Sequence, residues 1–567
     1  MTIDPTMTSL LEDIYGQAPP ALTDGITELI ESSKAATAAS EKGDALWSEK
    51  DVVLITYADQ VRQPNVTPLA ALRSFLLDRQ LNDLIRCVHL LPFCPFTSDD
   101  GFSVVDYLAV DPESGDWDDI ANLGQAFDLM FDLVLNHCSQ KHEWFQKYLA
   151  GDPDYADFFI DQDPNIDLSA VVRPRSLPLL TPFESPTGTK QIWTTFSDDQ
   201  VDLNYENPEV MLEMLRTLVE YAQRGARIIR LDAIAFLWKE PGTKCIHLPQ
   251  THAAVQLMRY VLDQAVPGTL VLTETNVPHK ENLSYFGDGT NEAHMVYQFS
   301  LPPLLLDAIH QQDTSIFRDW LKTLKLPSQT TTFFNFTASH DGVGVRPLEG
   351  IVPPERVSRL AEIVREHGGR VNTRRQSDGT DTPYELNITY LDAVADRSKV
   401  SAQEHARRFL ATQAIMLSIQ GMPAIYFHSL VGTPNDQEGV KSSGQNRRIN
   451  RHKYERTSLD AALQDPDELQ RLVFDGYRHL LSVRTQQKAF HPAASMSVLD
   501  LPGDGQVGWV RQIDDQQLTV LANLSSKTKT VDSSLIAGEG RHDHLADEEL
   551  TGQATIELKP FQVRWIG

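Results

Sequence analysis

Short apolar runs recur along the chain, separated by segments whose apolar residues fall at helical spacing. The first clear run is Val52-Val53-Leu54-Ile55-Thr56-Tyr57. Two more are Cys87-Val88-His89-Leu90-Leu91, closed by Pro92, and Leu129-Met130-Phe131-Asp132-Leu133-Val134-Leu135, ending at Asn136-His137. Between the first two, residues 68–81 put Leu69, Leu72, Phe75 and Leu76 on one face, which predicts a helix. Asn207 suits an N-cap and Pro208 the first helical position, and Val210, Leu212, Leu215, Leu218, Val219 and Ala222 make a buried stripe that Gly225 ends. Further runs cover 226–232, 269–273, 295–297, 332–336 and 424–427. The strands expected near residues 52, 87, 130, 227, 270, 295, 333 and 425 number eight. Strands apolar on both faces and alternating with helices predict a covered parallel sheet. Eight of them are the count of a closed (β/α)8 TIM barrel, an α/β fold.

The pattern also divides the chain. Residues 1–50 read as an N-terminal helical extension, with Ser9-Leu10-Leu11-Glu12 as a candidate capping box. The barrel takes 51–140 and 206–490. Residues 141–205 carry Pro153, Pro164, Pro174, Pro178, Pro182 and Pro186, so an inserted, loop-rich B-type domain is expected there, serving a binding site. A second loop-rich insertion is expected over 342–400. After about 490 short alternating runs, such as 507–510, 518–521 and 562–566, predict a C-terminal antiparallel β domain over 491–567.

Composition narrows the function classes. Lys and Arg number 50 against 78 Asp and Glu, a net charge of -28. That field opposes nucleic acid and anionic membranes as partners. No secretory leader and no membrane span is expected, and four scattered cysteines, Cys87, Cys94, Cys138 and Cys245, make no disulfide framework. A reducing cytoplasm is the expected compartment, and a monomer or homodimer the expected assembly. Cys138 beside His137 has no third ligand at useful spacing, so no metal site is expected.

In a barrel of this kind the chemistry gathers at the C-terminal strand ends. The third run ends in Asn136-His137, the fourth in Arg230-Leu231-Asp232 and the fifth in Thr273-Glu274, and the seventh is followed by Ser339-His340-Asp341. Alternation puts Arg230 and Asp232 on one face. A guanidinium there favours an ionised carboxylate, the form a nucleophile needs, and the alternative for the pair alone is an ordinary salt bridge closing the barrel top. Carboxyls facing one sugar ring are the equipment of glycoside chemistry.

Asp132-Leu133-Val134-Leu135-Asn136-His137, Ala226 to Ala233, Thr273-Glu274-Thr275-Asn276 and Ala338-Ser339-His340-Asp341 resemble the four signature regions of the α-amylase family, glycoside hydrolase family 13. The resemblance implies Asp232 as nucleophile, Glu274 as general acid/base and Asp341 as transition-state stabiliser. Arg230, His137 and His340 would contact the innermost glucose. Ile55 to Asp59, Leu91-Pro92-Phe93, Asp99 to Phe102, Arg173-Pro174-Arg175, Gly242-Thr243 and Asn450-Arg451-His452 are similar to the sucrose phosphorylase branch. Trp193 to Gln200, Phe236 to Pro241, Glu274 to Lys280 and the N-terminal extension look more like its glucosylglycerate and glucosylglycerol phosphorylases. By the same resemblance Asp99 and Arg451 would grip the distal hydroxyls, Phe102 would lie under the sugar, Gln200 would add a polar contact, and Arg175 and Tyr384 would hold phosphate. Tyr384-Glu385 departs from the Tyr-Gln of sucrose phosphorylases, which disfavours a sucrose acceptor site.

The resemblance implies retaining phosphorolysis of an α-glucoside to α-glucose 1-phosphate, with inorganic phosphate as co-substrate and no pyridoxal phosphate or calcium. A hydrolase or transglucosylase on the same scaffold, and a non-catalytic binding subunit, are the alternatives. The acidic surface suits a saline setting and ranks glucosylglycerol first, glucosylglycerate second and sucrose third. A glycerate carboxylate would need a cation, for which Arg173, Arg447 and Arg448 stand near in sequence.

Overall fold

The computed structural model describes residues 4–37, 46–174, 177–375, 381–536 and 541–567. The predicted strands form as β1 (Val53–Thr56), β2 (Cys87–Leu90), β3 (Asp128–Leu133), β4 (Ala226–Leu231), β5 (Leu270–Thr273), β6 (Met295–Tyr297), β7 (Thr332–Asn335) and β8 (Met422–Tyr426). They close into one parallel barrel in chain order, with β1 pairing both β2 and β8. The apolar runs close this way because each strand is covered inside by the barrel core and outside by helices.

Local signals account for many helix ends. The Asn207 side chain accepts from the Glu209 N–H at 3.0 Å, Pro208 opens the helix Pro208–Gln223, and the chain leaves through Gly225 at φ 102°. At the N-terminus the expected Ser9 cap is not used. Asp4 caps instead, accepting from the Thr6 N–H ahead of Pro5, and Ser9 lies inside the helix Pro5–Tyr15. A proline at the first helical position behind an aspartate is the stronger start signal. That helix and the next, Pro20–Thr37, pack on the barrel helices Pro208–Gln223 and Pro249–Ala265 through Met7, Leu11, Ile14, Leu22 and Ile26.

The two insertions hold more regular structure than their prolines predict. Within 141–205 lie the helix Glu143–Ala150 and the hairpin Leu180–Ser185/Gly188–Trp193. Pro182 sits in a two-stranded ribbon and Pro186 in its turn, positions where a missing N–H costs little. Within 342–400 are the helix Pro354–Glu366 and the antiparallel strands Arg370–Arg375 and Asp381–Asn387. Leu360, Ala361, Ile363 and Val364 bury one face of that helix. The C-terminal sheet is antiparallel and six-stranded. It is fastened to the barrel by fully buried Trp509 and Arg511, whose Nε1 and Nη1 donate to the Ser418 carbonyl at 3.2 and 2.9 Å.

Candidate active site

Strand register builds the site. Arg230 on β4 lies opposite Asp132 on β3, so both side chains enter the barrel at one level. The Arg230 guanidinium is hydrogen-bonded to Asp132, donates to Asp232 at 2.7 Å and lies 3.9 Å from Glu274. The Ala233 N–H donates to Glu274 at 3.0 Å. One guanidinium therefore touches the carboxyls that follow β4 and β5. Asp132 is closed off from solvent and is also 2.7 Å from His89 Nε2. Sequence reasoning left Asp132 without a role, although an acid inside an apolar strand is a signal of a buried partner.

Asp232, Glu274 and Asp341 line one cavity of about 730 Å³ at the C-terminal mouth of the barrel, together with Asp99, Phe102, His137, Gln200, Arg230, His340 and Tyr384. His137 Nε2 and Gln200 Nε2 both donate to the Phe102 carbonyl, at 2.9 and 3.0 Å. The Phe102 ring stacks on His340 at 4.6 Å and 10°. Arg451 is fully buried behind this wall, donating to the His340 carbonyl at 2.8 Å, to Asp100 at 2.8 Å and to Asp99 at 3.3 Å. The turn that presents Asp99 needs left-handed backbone at three successive residues, Asp99, Asp100 and Gly101. At Gly101 a Cβ would stand 2.5 Å from the Pro92 carbonyl oxygen, so only glycine fits. Asp99, Phe102, His137, Gln200, His340 and Arg451, the residues expected to contact glucose, are thus joined to one another by direct contacts. Arg175 lies outside the described residues.

Protonation follows from burial. Burial pushes His137 down to about 4 and His340 well below the usual range, so both are neutral hydrogen-bonding groups at pH 7. Burial raises Asp232 and Glu274 above ordinary carboxyls, Arg230 pulls both down, and the Asp132 charge pushes both up. The guanidinium expected to keep Asp232 ionised is thus outweighed by desolvation. Two such neighbours share a proton above the normal carboxylate range. The anion belongs on Asp232, which holds the 2.7 Å contact to Arg230, and the proton on Glu274, which holds only the 3.9 Å one.

The opposite wall comes from the 342–400 insertion. Gly344 pairs with Glu385, and the Val345 N–H donates to the Tyr384 carbonyl at 3.1 Å. Buried Glu385 takes an ion pair from Arg447 at 2.7 Å, and the same guanidinium reaches Asp341 at 2.6 Å. Arg448 instead faces Asp100 at 3.4 Å and lines a separate cavity, and Arg173 is exposed.

The α-amylase catalytic-domain family matches residues 83–343. Glucosylglycerate phosphorylase of Escherichia coli (strain K12) is 45% identical over 99% of both chains, and that of Spirochaeta thermophila 49% over 99% of this chain and 96% of its own. The chain belongs to the α-amylase family, in its glucoside phosphorylase branch. Glucosylglycerol phosphorylase of Marinobacter adhaerens is 28% identical over 87% of this chain and 98% of its own. The crystal structure of sucrose 6F-phosphate phosphorylase from Thermoanaerobacter thermosaccharolyticum superposes with a TM-score of 0.73 at 25% identity, over 85% of this chain and 96% of that one. These relatives therefore back the second acceptor in the expected order, glycerate, better than the first, glycerol. Among the described residues no helix is long and apolar enough to cross a membrane.

Proposed function

We propose that this phosphorylase catalyses the reversible phosphorolysis of 2-O-α-D-glucosylglycerate to α-D-glucose 1-phosphate and D-glycerate, by double displacement. Asp232 attacks the anomeric carbon while Glu274 gives its proton to the departing glycerate oxygen. Phosphate then displaces the glucosyl group from Asp232 as Glu274 takes a proton from it. Asp341 stabilises the oxocarbenium-like transition states. Asp99, Phe102, His137, Gln200, Arg230, His340 and Arg451 seat the glucose, and Arg175 and Tyr384 hold phosphate. The reaction as proposed takes inorganic phosphate as its co-substrate and no cofactor.

The observation that carries the reading is the single guanidinium spanning Asp232 and Glu274 in a cavity also lined by Asp341. It supports the close carboxyl spacing, about 5–5.5 Å, of retaining enzymes. The choice of glycerate is supported by identities of 45–49% to glucosylglycerate phosphorylases against 28% to a glucosylglycerol phosphorylase. The test is to offer glucosylglycerate, glucosylglycerol and sucrose side by side, with and without phosphate. Glucose 1-phosphate released fastest from glucosylglycerate, and only with phosphate, is the expected result. Free glucose released equally with and without phosphate would make the enzyme a hydrolase, and a preference for sucrose or glucosylglycerol would overturn the acceptor.

A further inference from the structure

We propose that Arg346 is the residue that recognises the carboxylate of the acceptor, through a two-point hydrogen-bonded ion pair; this rests on the glucosylglycerate reading above. Among the described residues, three arginines line the catalytic cavity, Arg230, Arg346 and Arg447. Arg230 is occupied by Asp132 and Asp232, and Arg447 by Asp341 and Glu385. No hydrogen bond or ion pair joins the Arg346 guanidinium to a described residue, and its Nε is buried without an acceptor. A buried cationic donor left unmet is costly, and in a ligand cavity it marks the place of an anion. A guanidinium fork matches a carboxylate in two parallel hydrogen bonds.

Its position fits the departing group. Arg346 directly follows the stretch that pairs with Tyr384 to Leu386. A Cβ at Gly344 would stand 2.6 Å from Asn276 Nδ2, so this stretch lies tight against the segment that follows Glu274. Arg346 thus follows a stretch packed on the segment after Glu274, and it lines the cavity that Glu274 and Asn276 also line, where the leaving oxygen would take its proton. Arg346 also borders a second cavity of about 600 Å³ that Leu348, Ile351 and Val357 line with it. The cations that sequence proximity offered are elsewhere engaged or exposed.

Phosphate is also an oxyanion, and the experiment separates the two. Kinetics are measured for R346Q, R346K and the parent on glucosylglycerate and glucosylglycerol, with the phosphate KM taken on glucosylglycerol. In R346Q the ratio of kcat/KM for glucosylglycerate to that for glucosylglycerol is expected to fall on the order of 10²-fold, with the phosphate KM moving less than about threefold. R346K, which keeps the charge but loses the fork, is expected to fall between. An unchanged ratio, an equal loss on both glucosides, or a loss confined to the phosphate KM overturns the assignment while leaving the acceptor reading intact. A parent that itself fails to prefer glucosylglycerate over glucosylglycerol overturns that reading, and the assignment with it.

Discussion

Asp132→Asn tests the electrostatic account of the site without touching the three carboxyls that would contact sugar. Desolvation alone would raise the Asp132 carboxyl, but Arg230 and His89 hold it down to about 2. Its folded pKa is thus below the usual ~3.9, so its contribution to stability is present above about pH 4 and is lost as pH falls through 2. A shift of this size corresponds to roughly 2–3 kcal/mol. Removing one partner of a buried ion pair costs more, about 3–5 kcal/mol, because the other charge is left uncompensated. Arg230 keeps Asp232 and Glu274, so the lower end applies, about 3 kcal/mol. The second effect is on catalysis. The Asp132 charge raises both Asp232 and Glu274. Without it the shared proton is lost at lower pH, and the alkaline limb of the rate profile moves toward acid by about one unit or more. The assay is phosphate-dependent glucose 1-phosphate release from about pH 5 to 9, paired with urea unfolding monitored at pH 7. An alkaline limb that stays in place, with an unfolding midpoint equal to the parent's, would refute the claim that the Asp132 charge raises Asp232 and Glu274 and that its pair with Arg230 supports the fold.

Further outcomes follow from the same geometry. Glu274→Gln removes the acid proposed to protonate the leaving oxygen and is expected to lower kcat on glucosylglycerate by about 10²–10⁴ and to abolish the alkaline limb, read from initial rates across pH. Arg447→Met leaves Asp341 and buried Glu385 without their common counter-charge, so kcat should drop and the protein should unfold at lower urea; adding Glu385→Gln should recover part of the lost stability, since one stranded anion is gone. Gly101→Ala drives a Cβ onto the Pro92 carbonyl and must displace the turn carrying Asp99 and Phe102, raising the KM for the glucoside with little change in far-UV circular dichroism.

The barrel was legible because its strands are apolar on both faces and its catalytic-type residues sit where those runs end. Asn207-Pro208 and Gly225 marked their helix for the same reason, each acting within a few residues of its effect. What the chain hid is what depends on distance. The Arg447–Glu385 pair joins residues 62 apart, and Arg451 meets Asp99 across 352. No periodicity records such partners. Arg346 carried no signal of its own, because an arginine after a strand reads as a solvated charge until the other described arginines of the cavity are seen to be taken. The relatives back glycerate over the glycerol that the charge favoured for a related reason: a net charge of -28 sums the whole chain, while selection happens in a cavity with its own local balance.

The helices at Pro5–Tyr15 and Pro20–Thr37 are synthesised well before residues 208–265, which carry the surfaces that cover Leu11 and Ile26. At about 5–20 residues per second the greasy sides of these two helices wait some ten seconds or more for cover. Translation of this protein therefore passes through a stage in which an amphipathic segment stands unsatisfied, a natural grip for holdase chaperones, until the helices at 208–265 arrive to cover it.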